Sequence, residues 1–176
     1  LNGNAYVSGD VITMHSGMTV EVINTDAEGR MILADALSYA KKYEPELVVD
    51  AATLTGAASR AIGKYGVVAM QADAEKPMAM LKEAGEEVYE RVAEFPFWDE
   101  YAELIKSEIA DIKNLGGTDA GMITAGKFLE KFTDYPFIHL DIAGPAFIEK
   151  NDNYMTAGGT GFGVRLLTEF FKTLTS

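Results

Sequence analysis

The sequence contains no cysteine among its 176 residues. Disulfide bonds, a thiol nucleophile and thiolate metal ligands are therefore excluded, which is typical of cytoplasmic proteins. The sequence also lacks an apolar run of the roughly 18 residues that a membrane-spanning helix needs. Positive charge is scarce, and the net charge is -12. This negative charge disfavours contact with nucleic-acid backbones and anionic membranes. We therefore expect a cytoplasmic protein with no nucleic-acid or membrane partner.

The remaining composition is that of an ordinary globular protein. Hydrophobic residues make up 48% of the chain and charged residues 24%, so a folded core is expected rather than disorder. The length suits a single domain spanning residues 1–176. Because the first residue is not methionine and the next four are typical of a turn within a protein, we expect the chain to begin inside a longer parent protein.

Hydrophobic periodicity predicts strands that alternate with helices. Short apolar or β-branched runs predict strands over residues 19–23, 46–50, 65–70 and 136–142. Apolar residues at helical spacing predict helices over residues 27–43, 76–95, 101–109, 122–132 and 164–174. This alternation favours an α/β fold with a largely parallel mixed sheet, flanked by helices on both faces in three layers. Ligands of such folds bind at the carboxyl ends of the strands.

One strand-to-helix junction carries an unusual set of charges. Asp26, Glu28 and Arg30 occupy alternate positions after the first predicted strand. In an extended segment this spacing points the side chains the same way. Two converging carboxylates would form an oxygen-rich site suited to Mg, Mn or Zn, and the arginine could hold an anion.

A structural interpretation of the same charges is also open. Asp26 would cap the following helix, Glu28 would lie favourably at its positive end, and Arg30 would be a surface partner. Capping accounts for one acidic residue but poorly for two. It also leaves unexplained why an arginine lies in the first helical turn, where the helix dipole disfavours it.

The residues around this junction resemble those of the leucyl (cytosol) aminopeptidase family. The segment NTDAEGR at residues 24–30 is similar to the family's seven-residue signature. Further resemblance lies in DAATLTGA at residues 50–57, HLDIAGPA at residues 139–146 and TGFGVR at residues 160–165. The chain resembles the C-terminal portion of the family's catalytic domain, so the fold would be incomplete without an upstream part.

The resemblance implies a metal-dependent exopeptidase that removes leucine-like N-terminal residues from peptides by two-metal hydrolysis. It implies two divalent ions (Zn, Mn or Mg), peptide substrates with a free N-terminus and assembly as a hexamer. Asp26 would bind one metal, Glu28 would bridge both, and Arg30 would be the catalytic arginine that holds a bicarbonate. The implied substrate-binding residues are Thr53, Leu54, Gly56, Leu115, Ala143 and Ala146.

The chain departs from the family pattern in one respect. A lysine and two aspartates that complete the family's metal site, and its catalytic lysine, lie in a segment that no stretch of this sequence resembles. We therefore expect the chain alone to be inactive. The alternative function is a non-catalytic α/β binding or assembly module that retains the fold without the metals.

Three other polar residues lie in the predicted buried strands. Asp50 and Asp141 lie at strand ends and could reach the site, but hydrogen bonding to loop amides is the favoured interpretation. His139 lies within an apolar strand and is interpreted as a core residue whose hydrogen bonds are satisfied.

Overall fold

A computed structural model describes residues 3–174 of the chain as two compact units. The first unit runs to Glu46 and includes Phe97–Tyr135. The second contains Leu47–Pro96 and the residues from Pro136 onward. Each unit combines strands with helices around its own buried residues.

The strands and helices alternate along the chain. The strands are β1 (Val11–Thr13), β2 (Thr19–Glu21), β3 (Val48–Ala52), β4 (Val67–Ala72), β5 (Val92–Glu94), β6 (Ile112–Lys113), β7 (Phe137–Asp141), β8 (Phe147–Ile148) and β9 (Gly158–Gly159). The α-helices are α1 (Glu28–Ala40), α2 (Gly56–Ile62), α3 (Glu75–Glu87), α4 (Gly121–Glu130) and α5 (Val164–Leu174). Short 3₁₀ turns precede and follow α1, at Thr25–Ala27 and Lys41–Tyr43.

The first unit contains a three-stranded sheet and two packed helices. Strand β2 lies between antiparallel β1 and parallel β6. Helices α1 and α4 contact each other, and each carries buried apolar residues, among them Met31, Ala34, Leu37, Ile123, Phe128 and Leu129. The buried hydroxyl of Tyr135 donates a 2.7 Å hydrogen bond to the carbonyl of Leu37, which joins the end of this unit to α1.

The second unit is built on a four-stranded sheet in the order β3-β7-β4-β5. Strands β3 and β7 are parallel, β7 and β4 are antiparallel, and β4 and β5 are parallel. In this register Asp50 lies beside His139, and Asp141 lies between Ala52 and Val68. A separate antiparallel pair, β8 and β9, follows the sheet.

Helices flank both faces of this second sheet. Helices α3 and α5 pack on the face that carries Val67, Ala69, Ile138 and Leu140, all at most 1% exposed. Because side chains alternate across a strand, Asp141 lies on the opposite face, where it binds the residue that caps α2. The predicted α/β fold with helix-flanked sheets is therefore confirmed, and the sheets are partly parallel.

Two predicted helices are wrong in part. The helix expected over residues 76–95 ends at Glu87, and Val92–Glu94 instead form strand β5 beside β4. The helix cannot continue because Tyr89 has a left-handed φ of 57°. The helix expected over residues 101–109 is a 3₁₀ segment at Asp99–Ile105.

The other predicted elements are confirmed, α5 at its predicted ends and the rest with shifted ends. Strands β1, β6, β8 and β9 are additional and have only two or three residues each, too few for a periodic signal. Across residues 3–174, none of the helices is long and apolar enough to cross a lipid bilayer.

Candidate functional site

The charged motif lies where β2 gives way to α1. The side chain of Asn24 accepts a 2.9 Å hydrogen bond from the backbone N–H of Asp26, which opens a 3₁₀ turn. Helix α1 begins at Glu28, so this carboxylate lies in its first turn, where the helix dipole favours negative charge. Both carboxylates are exposed, and both are available to a ligand.

This geometry corrects two expectations about the motif. The segment is helical rather than extended, so residues two apart do not point the same way. Asp26 also does not cap α1, because the residue at the cap position is Ala27 and no side chain caps this end. Asn24 caps the preceding 3₁₀ turn instead. The capping interpretation therefore leaves Asp26 unexplained.

Arg30 is buried rather than a surface partner. Its side chain is only 5% exposed, although it lies in the first turn of α1. One guanidinium nitrogen, Nη1, donates a 2.9 Å hydrogen bond to the backbone carbonyl of Asn114. A buried guanidinium needs hydrogen-bond partners, and the Asn114 carbonyl is one of them.

Asn114 is a site residue that sequence reasoning did not identify. It is 0% exposed and follows β6, the strand parallel to β2. Its Oδ1 accepts hydrogen bonds from the amides of Ile23 (2.8 Å) and Asn24 (3.3 Å). Its Nδ2 donates to the Asn24 carbonyl at 2.8 Å. Asn114 therefore holds both the segment that leads into the motif and, through its own carbonyl, Arg30.

The donor set of the motif fits part of a metal site. Carboxylate oxygens are suitable ligands for Mg, Mn and Zn, and both carboxylates are free to turn outward. Within residues 3–174, no group of three or more acidic or histidine side chains is placed to hold a metal ion. Asp26 and Glu28 thus fit a site to which other residues must contribute.

The candidate substrate residues of the second unit lie on two loops and at the start of α2. Thr53, Leu54 and Gly56 follow β3, and Ala143 and Ala146 follow β7. Because β3 and β7 are parallel neighbours, both loops leave the sheet at the same edge. All five residues are at least partly exposed.

Leu115 belongs to the first unit and follows Asn114 directly. It is half-buried, whereas Asn114 is fully buried. Leu115, the sixth implied substrate residue, is therefore adjacent in sequence to the residue that fixes the charged motif.

The polar residues of β3 and β7 have different partners. Asp141 is 1% exposed and accepts hydrogen bonds from loop amides, as predicted. The prediction is wrong for Asp50, whose carboxylate lies 2.9 Å from Nδ1 of His139 on the adjacent strand. His139 is a buried core residue, but within residues 3–174 its Nε2 has no hydrogen-bond partner.

The chain has clear relatives among known protein families. Residues 1–168 match the catalytic domain of the cytosol aminopeptidase family. The chain belongs to this family. Probable cytosol aminopeptidases of Chlorobium phaeobacteroides and Geobacter sulfurreducens are 55% and 51% identical to it over 174 and 171 residues. Each alignment covers 97% of the chain but 34% of the relative, so the chain spans about a third of these curated relatives.

Solved structures of other proteins show the same fold. The bottromycin maturation enzyme BotP in complex with Mn is 35% identical, with a TM-score of 0.93 over 99% of this chain and 40% of that one. A tomato leucine aminopeptidase mutant is 38% identical, with a TM-score of 0.88 over 97% of this chain and 33% of that one. The fold of the chain is therefore shared by a bottromycin maturation enzyme and a leucine aminopeptidase.

Proposed function

We propose that this chain is the C-terminal portion of the catalytic domain of a metal-dependent, leucine-preferring aminopeptidase in the cytoplasm. The observation that carries the proposal is the junction of β2 and α1. There, two exposed carboxylates adjoin a buried arginine whose position is fixed by Asn114. This arrangement occurs in a chain of the cytosol aminopeptidase family.

In this proposal Asp26 would hold one divalent ion and Glu28 would contribute to holding two. The ions are Mn, Zn or Mg, and the similarity of the chain to BotP in complex with Mn supports manganese. Bound ions of this kind polarise a scissile carbonyl and lower the pKa of a bound water. The remaining ligands come from an upstream part of the parent protein, whose homo-oligomer is a hexamer.

Arg30 is the proposed catalytic residue, and its guanidinium stabilises the negative charge that develops during peptide hydrolysis. Its guanidinium is held on one side by the Asn114 carbonyl, which accepts from Nη1 and leaves the cation's charge intact. Arg30 would hold a bicarbonate, which would supply a group for proton transfer. Removing one such charge-stabilising group typically lowers turnover by ~10²–10³-fold.

The substrate is a peptide with a free N-terminus. Thr53 and Leu54 contact it from the loop after β3, and Gly56 from the start of α2. Ala143 and Ala146 line the pocket for its first side chain from the loop after β7. Small and aliphatic side chains at these positions suit an apolar first residue.

The test uses the full-length protein that contains this chain, loaded with manganese or zinc. Hydrolysis of leucine p-nitroanilide and the bound metal content are measured for Asp26→Asn, Glu28→Gln and Arg30→Ala. The two carboxylate variants should lose metal and activity together, whereas Arg30→Ala should lose activity and keep its metal. Glu75→Gln is a matched control, because Glu75 is also the first residue of an α-helix and is exposed.

Two results would contradict the proposal. If the full-length protein binds no divalent ion and hydrolyses no peptide, the chain belongs to a non-catalytic binding or assembly module. If Arg30→Ala retains full turnover, Arg30 has no part in the reaction. The isolated 176-residue chain should bind metal weakly and lack appreciable activity, because its motif offers two carboxylates at most.

A further inference from the structure

A buried carboxylate at the end of β7 holds the loop after β3. The Oδ1 atom of Asp141 accepts hydrogen bonds from the backbone amides of Leu54 (3.1 Å) and Thr55 (3.3 Å). Its Oδ2 atom accepts a 2.7 Å hydrogen bond from the hydroxyl of Thr55. Asp141 is 1% exposed, so these bonds replace nearly all of its contact with water.

The same carboxylate also holds the loop after β7. Its Oδ1 atom accepts a 3.2 Å hydrogen bond from the amide of Ala143. The Thr55 hydroxyl in turn accepts a 3.0 Å hydrogen bond from the amide of Ala58, so Thr55 caps α2. One side chain therefore fixes the two loops and, through Thr55, the start of the helix that follows.

A tight backbone contact holds the two segments together independently of Asp141. A Cβ atom placed on Gly144 would lie 2.1 Å from the carbonyl oxygen of Gly63, at the end of α2. The loop after β7 therefore lies directly against α2 through main-chain atoms. With the backbones in contact at one end and hydrogen-bonded through Asp141 at the other, the loops have little freedom to separate.

We propose that Asp141 is a positioning residue that sets the shape of the pocket for the substrate's first side chain. The inference rests on the proposed function, in which Leu54 and Gly56 on one loop and Ala143 and Ala146 on the other contact the substrate. Asp141 does not touch the substrate itself. It fixes the spacing between the two loops, and this spacing determines which first side chain fits.

The chemistry of Asp141 predicts graded effects of substitution. Asparagine retains one acceptor oxygen for the loop amides, but its amide nitrogen replaces the oxygen that accepts from the Thr55 hydroxyl. Alanine removes every one of these bonds, including those of the buried Thr55 amide and hydroxyl. Asp141→Asn should therefore loosen the pocket, and Asp141→Ala should open it further.

The experiment compares substrates with different first residues in the full-length, metal-loaded enzyme. We expect Asp141→Asn to raise KM for leucine p-nitroanilide by about tenfold, the effect of losing one charge-assisted hydrogen bond. The preference in kcat/KM for leucine over alanine substrates should fall, and the bound metal should be unchanged. Hydrogen exchange at the amides of Leu54, Thr55 and Ala143 should become about tenfold faster or more.

Glu90→Gln is the matched control for a general loss of stability. Glu90 is a carboxylate of the same unit, 3% exposed, that accepts hydrogen bonds from the amides of Gly163 and Leu166 and from Arg165. It binds neither of the two loops. Its substitution should leave substrate preference unchanged, and Thr55→Ser, which keeps the hydroxyl, should behave like the unmodified enzyme.

The outcomes separate this inference from the proposed function. An unmodified enzyme that prefers leucine, together with an Asp141→Asn variant of unchanged preference and exchange, would overturn the inference alone. Equal changes in Glu90→Gln would also overturn it, because they would show a general effect of stability. If the unmodified protein is inactive, the proposed function fails, and unchanged exchange in Asp141→Asn would still refute the positioning role.

Discussion

Replacing Asn114 should release the segment that carries the charged motif. The side chain makes three hydrogen bonds to the backbone of residues 23 and 24, at 2.8, 3.3 and 2.8 Å. Each net bond contributes roughly 0.5–1.5 kcal/mol, and emptying a buried site adds a cavity cost. Because the backbone partners lie beside exposed residues, water can replace some of the lost bonds. Asn114→Ala should therefore destabilise the protein by about 2–4 kcal/mol.

Asn114→Asp tests the direction of the hydrogen bonds rather than the packing. The substitution has the same shape, but it places a carboxylate oxygen against the Asn24 carbonyl, where the amide now donates. Burial and this contact should raise the pKa of the introduced carboxyl above its unfolded value. The charged form is penalised, so the variant should lose stability as the pH rises from the unfolded pKa through the raised folded pKa, and regain it on acidification.

The assay is urea unfolding of the two variants and the unmodified protein between about pH 4 and pH 8, with Arg30 followed by its side-chain NMR signal. Asn114→Ala should remain less stable throughout, whereas the deficit of Asn114→Asp should shrink toward the acidic end of this range. Stability within about 0.5 kcal/mol of the unmodified protein for both variants would show that Asn114 does not hold the motif. A deficit of Asn114→Asp that is independent of pH would refute the assigned hydrogen-bond direction.

Further substitutions test three other contacts. Gly144→Ala should destabilise the protein by about 1–3 kcal/mol or more, because its new methyl group would lie 2.1 Å from a backbone oxygen, whereas Gly159→Ala meets no atom within 4 Å and should be tolerated in denaturant unfolding. Hydrogen bonds from the backbone and side chain of Thr19 lower the pKa of Asp111 below its ordinary value of 3.8. The ionised Asp111 carboxylate therefore stabilises the folded state fully above pH 3.8, and this stabilisation is lost as the pH falls through the lowered pKa. The difference in unfolding midpoint between Asp111→Asn and the unmodified protein should accordingly disappear in acid. Lys127→Met should change stability by no more than about 1 kcal/mol, since the 2%-exposed lysine packs like a hydrocarbon and its carboxylate partners can be hydrated, whereas Lys127→Ala should cost about 2–4 kcal/mol in the same assay.

The sequence predicted the elements whose apolar pattern is long. Helix α5 was placed at its observed ends because Leu166 and Phe170 recur at helical spacing, and both are 0% exposed. Strand β5 was missed because its three residues follow a longer helical pattern without an intervening glycine or proline. Only a left-handed residue, Tyr89, separates the two elements, and tyrosine gives no sequence signal for that conformation.

The candidate site was predictable where the chemistry is local. Asp26, Glu28 and Arg30 lie within five residues, so the motif can be found without knowing what surrounds it. Their orientation could not be predicted, because it depends on whether the segment is extended or helical. The local hydrogen bond from Asp26 to the Asn24 side chain favours the helical turn over an extended one.

The residues that fix the site depend on contacts distant in sequence. Asn114 is hydrogen-bonded to residues of the motif segment that are 84 to 91 positions away in sequence. Asp141 is hydrogen-bonded to residues of the loop after β3 that are 86 or 87 positions away. In each case the polar residue lies at the end of a strand that is parallel to the strand preceding the functional loop. Asn114 follows β6 beside β2, and Asp141 ends β7 beside β3. A buried Asn or Asp one residue beyond or at the end of such a strand is therefore a candidate for holding the neighbouring loop. Asp50 instead lies in the middle of the edge strand β3, and its carboxylate pairs with His139 on β7.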